Sequence, residues 1–321
     1  MIRWGILGAG NIAKRFIASL EHFDDACLYA VGSYTPQKRE EFRHKYPHII
    51  VYDNYMDLLD DNNIDIIYIA TRHKDHYQWA KEALLKNKAV LCEKPATLSY
   101  QQTRELCELA KKQNTLFLEG MKTRFIPLIA HIKEILDHKI IGDVLRVETC
   151  FAYDAPYRPG HYLHDLDEGG ILYDVGSYNI ASILDYIDSK VVDIQVNAVF
   201  DQGVDVNDQI ELIFDSGQTA LIDIAMNENK EKRMTITGTQ GKITACPFYR
   251  PEKAIISLSD EDHIIEKKYL FDDFYTEIQE AHRCYREHLY ESPRMTLQDS
   301  LDIIEVIEKI KLVMKGESYG I

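Results

Sequence analysis

Near the N-terminus, Gly8-Ala9-Gly10-Asn11-Ile12-Ala13 joins the apolar run Ile2–Leu7 to a stretch whose apolar residues Ile12, Ala13, Phe16, Ile17 and Leu20 recur at helical spacing. A G-x-G-x-x-A loop between a strand and a helix suits a pyrophosphate. The first glycine makes the tight turn, the second admits close backbone approach, and the small alanine lets the helix pack on the strand. The helix start adds unpaired N–H groups and partial positive charge. Gly8, Gly10, Asn11 and Ile12 are therefore the candidate contacts of a dinucleotide. A second strand ends at Ser33, where an NAD-selective site usually carries Asp or Glu for the ribose 2′-hydroxyl. No carboxylate lies between Asp25 and Glu40. Ser33, Tyr34 and Thr35, followed by Lys38 and Arg39, suit a 2′-phosphate instead. NADP is the expected cofactor, with NAD the alternative, and Ser33, Tyr34 and Lys38 are its expected contacts.

A second reactive group is Lys94, in Glu93-Lys94-Pro95 after the strand Lys88–Cys92. An ammonium at the ligand edge of a sheet can polarise a hydroxyl or carbonyl, or lower the pKa of a neighbouring acid. Other clusters lead nowhere. His161-x-x-His164-Asp165 and His44-x-x-x-His48 sit in no metal motif, and Pro47 interrupts the second pair, so no metal is expected. The six cysteines form no C-x-x-C pair and read as reduced thiols.

These groups need a scaffold. From Ile2 to Glu119, strand-like and helix-like segments alternate: Ile2–Leu7, Asn11–Leu20, Cys27–Gly32, Pro36–Lys45, Ile64–Ala70, Asp75–Lys86, Lys88–Glu93, Ser99–Gln113 and Thr115–Glu119. That order predicts a doubly wound parallel sheet with ligands at the carboxyl ends of its strands. After residue 121 the rhythm changes to a helix, Pro127–Lys139, and then to strands beginning with Val144–Tyr153. These are Val191–Phe200, Gln209–Phe214, Thr219–Met226, Arg233–Thr237, Lys242–Ala245, Ala254–Leu258 and Ile264–Tyr269. Asp215-Ser216-Gly217 and Thr239-Gln240-Gly241 look like hairpin turns. Helices return at Gly176–Tyr186, Phe274–Tyr290 and Leu297–Lys315. The expected class is α/β: a Rossmann-type domain over 1–121, then an α+β substrate-binding and oligomerisation domain over 122–321 with a mostly antiparallel open sheet.

The motifs in order resemble the glucose–fructose oxidoreductase / inositol dehydrogenase / rhizopine catabolism (Gfo/Idh/MocA) family over nearly the whole chain. Ile69-Ala70-Thr71 with His73 and His76 is similar to its strand-end segment beside the nicotinamide ribose. Ala89–Pro95 matches its Glu-Lys-Pro signature. Glu119–Pro127 is similar to its Glu-Ala-x-Trp-x-Arg-Phe-x-Pro, with Lys122 in place of the Trp. Glu168–Tyr178 resembles its Gly-Gly-Gly-Ala-Leu-x-Asp-x-Gly-x-His/Tyr box, with Glu168 in place of the first Gly. Ile236–Gly241 resembles its late Gly-Thr-x-Gly turn. Tyr rather than His at the end of the box is typical of the dihydrodiol dehydrogenase / NADP-xylose dehydrogenase branch. The resemblance implies that Tyr178 is the acid/base, Lys94 lies close to it, and Asp174 orients the substrate or the lysine. It also implies that Ala70, Thr71, His73, His76, Glu93 and Lys94 meet the cofactor. Candidate substrate contacts are Lys122, Arg124, Tyr153 and Arg158. Lys122 in place of a pocket Trp points away from aromatic dihydrodiols and toward a polyol or an anion.

The expected activity is hydride transfer between nicotinamide and a small hydroxyl or carbonyl compound, a sugar or polyol. Two rivals are an NAD-dependent inositol-type dehydrogenase and a non-catalytic nucleotide sensor on the same fold. The chain has 37 Lys+Arg against 52 Asp+Glu, a net charge of −15, which disfavours nucleic acid and anionic lipid as partners. Residues 1–120 carry 16 basic and 16 acidic groups, and the remainder 21 against 36, so the excess belongs to the second domain. No apolar run approaches the ~20 residues that span a bilayer. No export leader is visible, so the cytoplasm is the expected compartment. The resemblance implies a homodimer, or a dimer of dimers, through the open sheet face.

Overall fold

In the computed structural model, which describes residues 1–259 and 261–317, the chain divides into two compact units. The first is Met1–Gly120 with Leu270–Leu301; the second is Met121–Tyr269 with the chain from Asp302 onward. The first unit holds β1 (Ile2–Leu7), α1 (Asn11–Leu20), β2 (Ala26–Gly32), α2 (Pro36–Lys45), β3 (Ile50–Tyr52), α3 (Tyr55–Asp60), β4 (Ile66–Ile69), α4 (His73–Leu85), β5 (Ala89–Glu93), α5 (Tyr100–Gln113) and β6 (Phe117–Gly120). Its six strands are all parallel in the order β3-β2-β1-β4-β5-β6, a doubly wound sheet whose direction of winding reverses between β1 and β4. The strands are buried on both faces, as their unbroken apolar runs require. Two elements escape the sequence patterns. β3 is three residues long, and α3 is a six-residue helix capped by Asn54, whose side chain accepts from the Asp57 N–H. Both are too short to show a period.

Leu270–Leu301, which the sequence reading places in 122–321, belongs to the first unit. Its helix Tyr275–Arg286 buries Ile278, Ala281, His282 and Cys284. A helical period announces an apolar face but not the core that will receive it. Here the receiver is the underside of β1 and α1. Trp4 Nε1 donates to His282 Nε2 at 2.9 Å, and Phe16 stacks on Tyr68 at 3.9 Å with Phe274 edge-on at 6.0 Å.

The second unit holds α6 (Pro127–Asp137), β7 (Val144–Ala152), α7 (Ser177–Tyr186) and the strands β8 (Val191–Asp201), β9 (Val204–Phe214), β10 (Thr219–Ala225), β11 (Met234–Gly238), β12 (Gly241–Ala245), β13 (Lys253–Leu258) and β14 (Glu261–Glu266). The sheet order is β14-β13-β12-β11-β7-β10-β9-β8, and every neighbour is antiparallel except the parallel pair β7–β10. Both expected turns join antiparallel neighbours, β9 to β10 and β11 to β12. One face is buried: Val147, Ile210, Leu212, Ile222, Ile224, Ile236 and Ile243 lie beneath the helices. β9 starts at Val204, five residues earlier than the apolar pattern indicates, because Asp205, Asn207 and Asp208 are poor strand formers. Among the described residues, no helix is long and apolar enough to cross a membrane.

Burial pushes the His282 imidazole down to about 4. The unfolded chain therefore takes up this proton near pH ~6.5, while the folded chain resists it until much lower pH. Stability is full above the unfolded value and declines as pH falls from there. His282→Gln, which keeps an acceptor for Trp4, is expected to remove about 3 kcal/mol of the acid sensitivity between pH 7 and 4, read from urea unfolding at each pH.

Candidate functional site

In the first unit, the expected cofactor residues collect at the carboxyl edge of β1, β2, β4 and β5. Gly8 has φ +100°, and a Cβ there would lie 2.4 Å from the Ala70 carbonyl oxygen. Only glycine allows this conformation and this approach of β1 to β4. A Cβ on Gly10 would meet nothing within 4 Å, so the backbone is open where a pyrophosphate would rest. Gly10 is the N-cap of α1, no side chain caps that helix, and Asn11 and Ile12 supply its first N–H groups. These features fit a bound dinucleotide phosphate. At the tip of β2, Ser33 is buried and its Oγ accepts from the Thr35 N–H at 3.2 Å. Arg39 donates to the Ser33 carbonyl at 2.8 Å. Tyr34 is exposed and tilts against Tyr55 at 4.5 Å, and Lys38 is exposed beside it. The tip is thus polar and cationic.

Lys94 is half-buried on a loop fixed from two sides. His76, fully buried, sets Nδ1 2.8 Å from the Pro95 carbonyl and Nε2 3.3 Å from the Thr71 carbonyl. Glu119 Oε1 accepts from the Ala96 N–H at 2.9 Å. His76 thus ties the ends of β4 and β5 together, a different role from the cofactor contact expected of it. Burial lowers its affinity for a proton, and the two carbonyls that face its ring nitrogens oppose that shift. Glu93 is buried and accepts from the Tyr68 hydroxyl at 2.5 Å, which anchors the residue before Lys94. His73 is buried at the start of α4 with its ring 5.7 Å from that of His76, and Ala70 and Thr71 lie at the adjoining strand end.

In the second unit, the last box forms a π-helical turn, Leu172–Gly176, that runs straight into α7. Asp174 lies on the turn and Tyr178 on the first turn of the helix. Tyr153, at the end of β7, donates to Asp174 Oδ2 at 2.5 Å, and Tyr162 donates to Oδ1 at 3.1 Å. Burial first, then the Asp174 charge, pushes both phenols well above the ordinary tyrosine range. Tyr178 is near enough to Tyr162 to add to that shift. Its half-buried ring stacks with Phe151 at 6.3 Å, and Phe151 stacks on Tyr249 at 4.5 Å. Lys232 Nζ lies 5.1 Å from the Phe151 ring centroid and 5.9 Å from that of Tyr153. The result is an aromatic cradle with a carboxylate and an ammonium beside it.

The candidate substrate contacts fall in different surroundings. Arg124 is buried in a salt bridge with Asp185 of α7 at 2.8 Å and also donates to the Ala181 carbonyl at 3.2 Å. It fastens α7. Tyr153 holds Asp174. Arg158 lies exposed on its loop. Lys122 is buried, which rules out a solvent-facing role. The sequence reading missed Tyr162, Tyr249 and Lys232. Tyr162 stands beside His161, which the eye takes for the chemistry, and no motif marks the other two.

Comparison with known proteins agrees with this geometry. Residues 2–121 match the GFO_IDH_MocA family model, described as an oxidoreductase family with an NAD-binding Rossmann fold, and residues 129–244 match the GFO/IDH/MocA C-terminal domain. The chain is 27% identical over 321 residues to trans-1,2-dihydrobenzene-1,2-diol dehydrogenase of Mus musculus, covering 97% of this chain and 96% of that protein. It is 27% identical to D-xylose 1-dehydrogenase (NADP(+)) of Hypocrea jecorina, covering 96% and 90%. Among solved structures, a 3-ketoreductase of Actinomadura kijaniata in complex with NADP superposes with a TM-score of 0.87 at 23% identity, covering 97% of each chain. An aldose-aldose oxidoreductase of Caulobacter crescentus complexed with glycerol gives 0.89 at 21%, covering 100% of this chain and 99% of that one.

Glu119→Ala leaves the buried Ala96 N–H without its acceptor and is expected to destabilise the chain by about 1–3 kcal/mol in urea unfolding. Glu119→Gln keeps an acceptor oxygen and should cost clearly less in the same measurement.

Proposed function

The chain belongs to the Gfo/Idh/MocA oxidoreductase family, and from that premise we propose that it is a cytoplasmic, NADP-preferring dehydrogenase or reductase of a sugar or polyol. The reading is supported by the Tyr178 cradle of the second unit and, taken by itself, by the fixed Lys94 loop and open phosphate turn of the first. When bound, the nicotinamide dinucleotide gives or takes a hydride at the substrate carbon. Tyr178 takes the proton from the substrate hydroxyl in oxidation and returns it in reduction. A phenol with a pKa near ~10 is a weak base at neutral pH, so it needs help from a positive charge, the part that the family resemblance gives to Lys94. Asp174 already accepts from two phenols, and its role here is to hold the cradle in shape. The polar tip at Ser33, with Arg39 and Lys38, supports NADP, as does the NADP named for the xylose dehydrogenase. Six free thiols support a reducing compartment.

The cradle also supports the substrate class. The half-buried phenols Tyr178 and Tyr249 suit the hydroxyls of a sugar, which a phenol meets as donor or acceptor. Lys232 has no carboxylate partner among the described residues, whereas its neighbours Lys230 and Arg233 both do. Its ammonium is placed to donate to substrate oxygens. The same reading includes a dimer through the outward face of the second sheet. That face presents Ile213, Leu221 and Ile255 among threonines and the Arg146–Glu211 ion pair.

Lys94→Ala and Tyr178→Phe are each expected to lower turnover by about 10²–10⁴-fold on a responsive sugar, followed at 340 nm. NADPH affinity should stay within threefold. Full turnover by Tyr178→Phe would sink the assignment, and so would tight NADPH binding without hydride transfer on any sugar or polyol. Lys232→Met should raise KM about tenfold or more with kcat little changed, the signature of lost ground-state binding. NADPH should bind at least tenfold more tightly than NADH in a direct titration, and equal affinities would remove the NADP preference.

A further inference from the structure

β9 does not alternate regularly at its start. Val199 pairs with Asn207 and Phe200 with Asp205, so Val206 is an extra residue, a β-bulge. In a regular strand, residues three apart point to opposite faces. The bulge instead brings Asp205 and Asp208 to the same side, beneath the turn that precedes α7. Asp205 is 8% exposed and Asp208 not at all. Asp205 Oδ2 accepts from the Leu172 N–H at 2.7 Å. Its Oδ1 sits 2.0 Å from where a Cβ on Gly170 would be, and Gly170 has φ +100°. Asp205 therefore seats the turn that delivers Asp174 and then Tyr178.

Asp208 raises a question that the proposed chemistry leaves open. Neither of its carboxyl oxygens meets an N–H or O–H donor among the described residues. The group that faces it is the Asp205 carboxyl, on its own strand. From the turn above comes the Tyr173 phenol, which feels the charge of Asp205. From the helix Leu297–Met314 come Lys311, with Nζ 3.9 Å from the Tyr173 ring centroid and drawn to Asp205, and Glu308, which acts on Tyr173. Two carboxylates in one dry pocket cannot both ionise. Burial, and then the charge of Asp205, drives Asp208 toward its neutral form.

We propose that Asp205 and Asp208 share a single proton, carried on Asp208 and donated to Asp205, and that this pair is the positioning element that seats Asp174 and Tyr178. The positioning half rests on the reading of Tyr178 as the acid/base; the proton-sharing half does not. Asp208 supplies the one donor that Asp205 gains from beneath, while the Leu172 N–H supplies one from above. The pair touches no reacting atom.

The test uses the full chain and the variants Asp208→Asn, Asp205→Ala and Asp205→Asn. The folded protein holds a proton that the unfolded chain releases above pH ~4, so the wild type loses stability relative to Asp208→Asn as pH rises. The melting temperature of Asp208→Asn should therefore gain on that of the wild type from pH 5 to 8. Its amide donates as the carboxylic acid does, so its turnover should stay within threefold. Asp205→Ala should lower kcat at least thirtyfold with NADPH affinity unchanged. Asp205→Asn, which keeps an acceptor for the Leu172 N–H, should recover at least tenfold of that loss. Parallel melting curves for wild type and Asp208→Asn would overturn the shared proton. Asp208→Asn as inactive as Asp205→Ala would do the same, and undiminished kcat in Asp205→Ala would overturn the positioning role. The melting series needs no substrate, so it still decides proton sharing should Tyr178→Phe keep full turnover and the functional reading fail.

Discussion

The hydrogen bonds that Asp174 accepts from Tyr153 and Tyr162 are the constraint on which the second unit turns. One carboxylate joins the end of β7, the loop that carries Tyr162 and the turn that leads into α7. Remove it and three separate pieces of chain lose their common point. A carboxylate with both oxygens taken by hydroxyls is well solvated by protein, which makes its burial tolerable. Burial, and then the Asp174 charge, disfavour the ionised form of both phenols. Tyr153, Tyr162 and Asp174 are thus fixed donors and acceptors.

The first unit meets the matching requirement with backbone. Its sheet places Gly8 against Ala70, where no side chain fits, and leaves room at Gly10, where one would. The Lys94 loop is held by the His76 imidazole and the Glu119 carboxylate. Pre-organisation of this kind matters because a charged group that must be repositioned during the reaction costs free energy at the moment of transfer. Each unit is therefore stiff near its reactive group, by side-chain bonds in one and close packing in the other.

How much of this was legible in the sequence follows from the range of each interaction. The phosphate loop, the parallel alternation and the Glu-Lys-Pro turn depend on residues adjacent in the chain, and all could be read. Lys94 and Tyr178 stood out for the same reason. The partners of Asp174 could not be read, because 12 and 21 residues separate it from Tyr162 and Tyr153 and no period links them. Arg124 looked like a pocket cation, since its role depends on Asp185, 61 residues away on α7. The allegiance of Leu270–Leu301 to the first unit was hidden too, because an apolar helix face does not name its partner. The start of β9 was hidden by its own chemistry: a bulge and two aspartates defeat the alternation from which strands are read.

Net charge narrows the substrate further. Of the net −15, Leu270–Leu301 of the first unit carries −4 and the second unit, which holds the cradle, carries −11. Several cations there already face carboxylates: Arg124 faces Asp185, Arg146 faces Glu211, and Lys230 faces Asp223. Lys232 rests on ring faces at the edge of the cradle, and a cation over aromatic rings in a partly wet site is held by only about 0.5–1 kcal/mol. That is enough to aim an ammonium at a hydroxyl. It is a weak counter to an acidic surround with Asp174 beside the same cradle. An anionic ligand would have to enter against that field, whereas a neutral sugar or polyol would meet Lys232 as a donor without that penalty. The balance of charge thus favours a neutral polyhydroxyl compound over a sugar acid or phosphate, a distinction that Lys122 alone, read from the sequence as a pocket cation, left open.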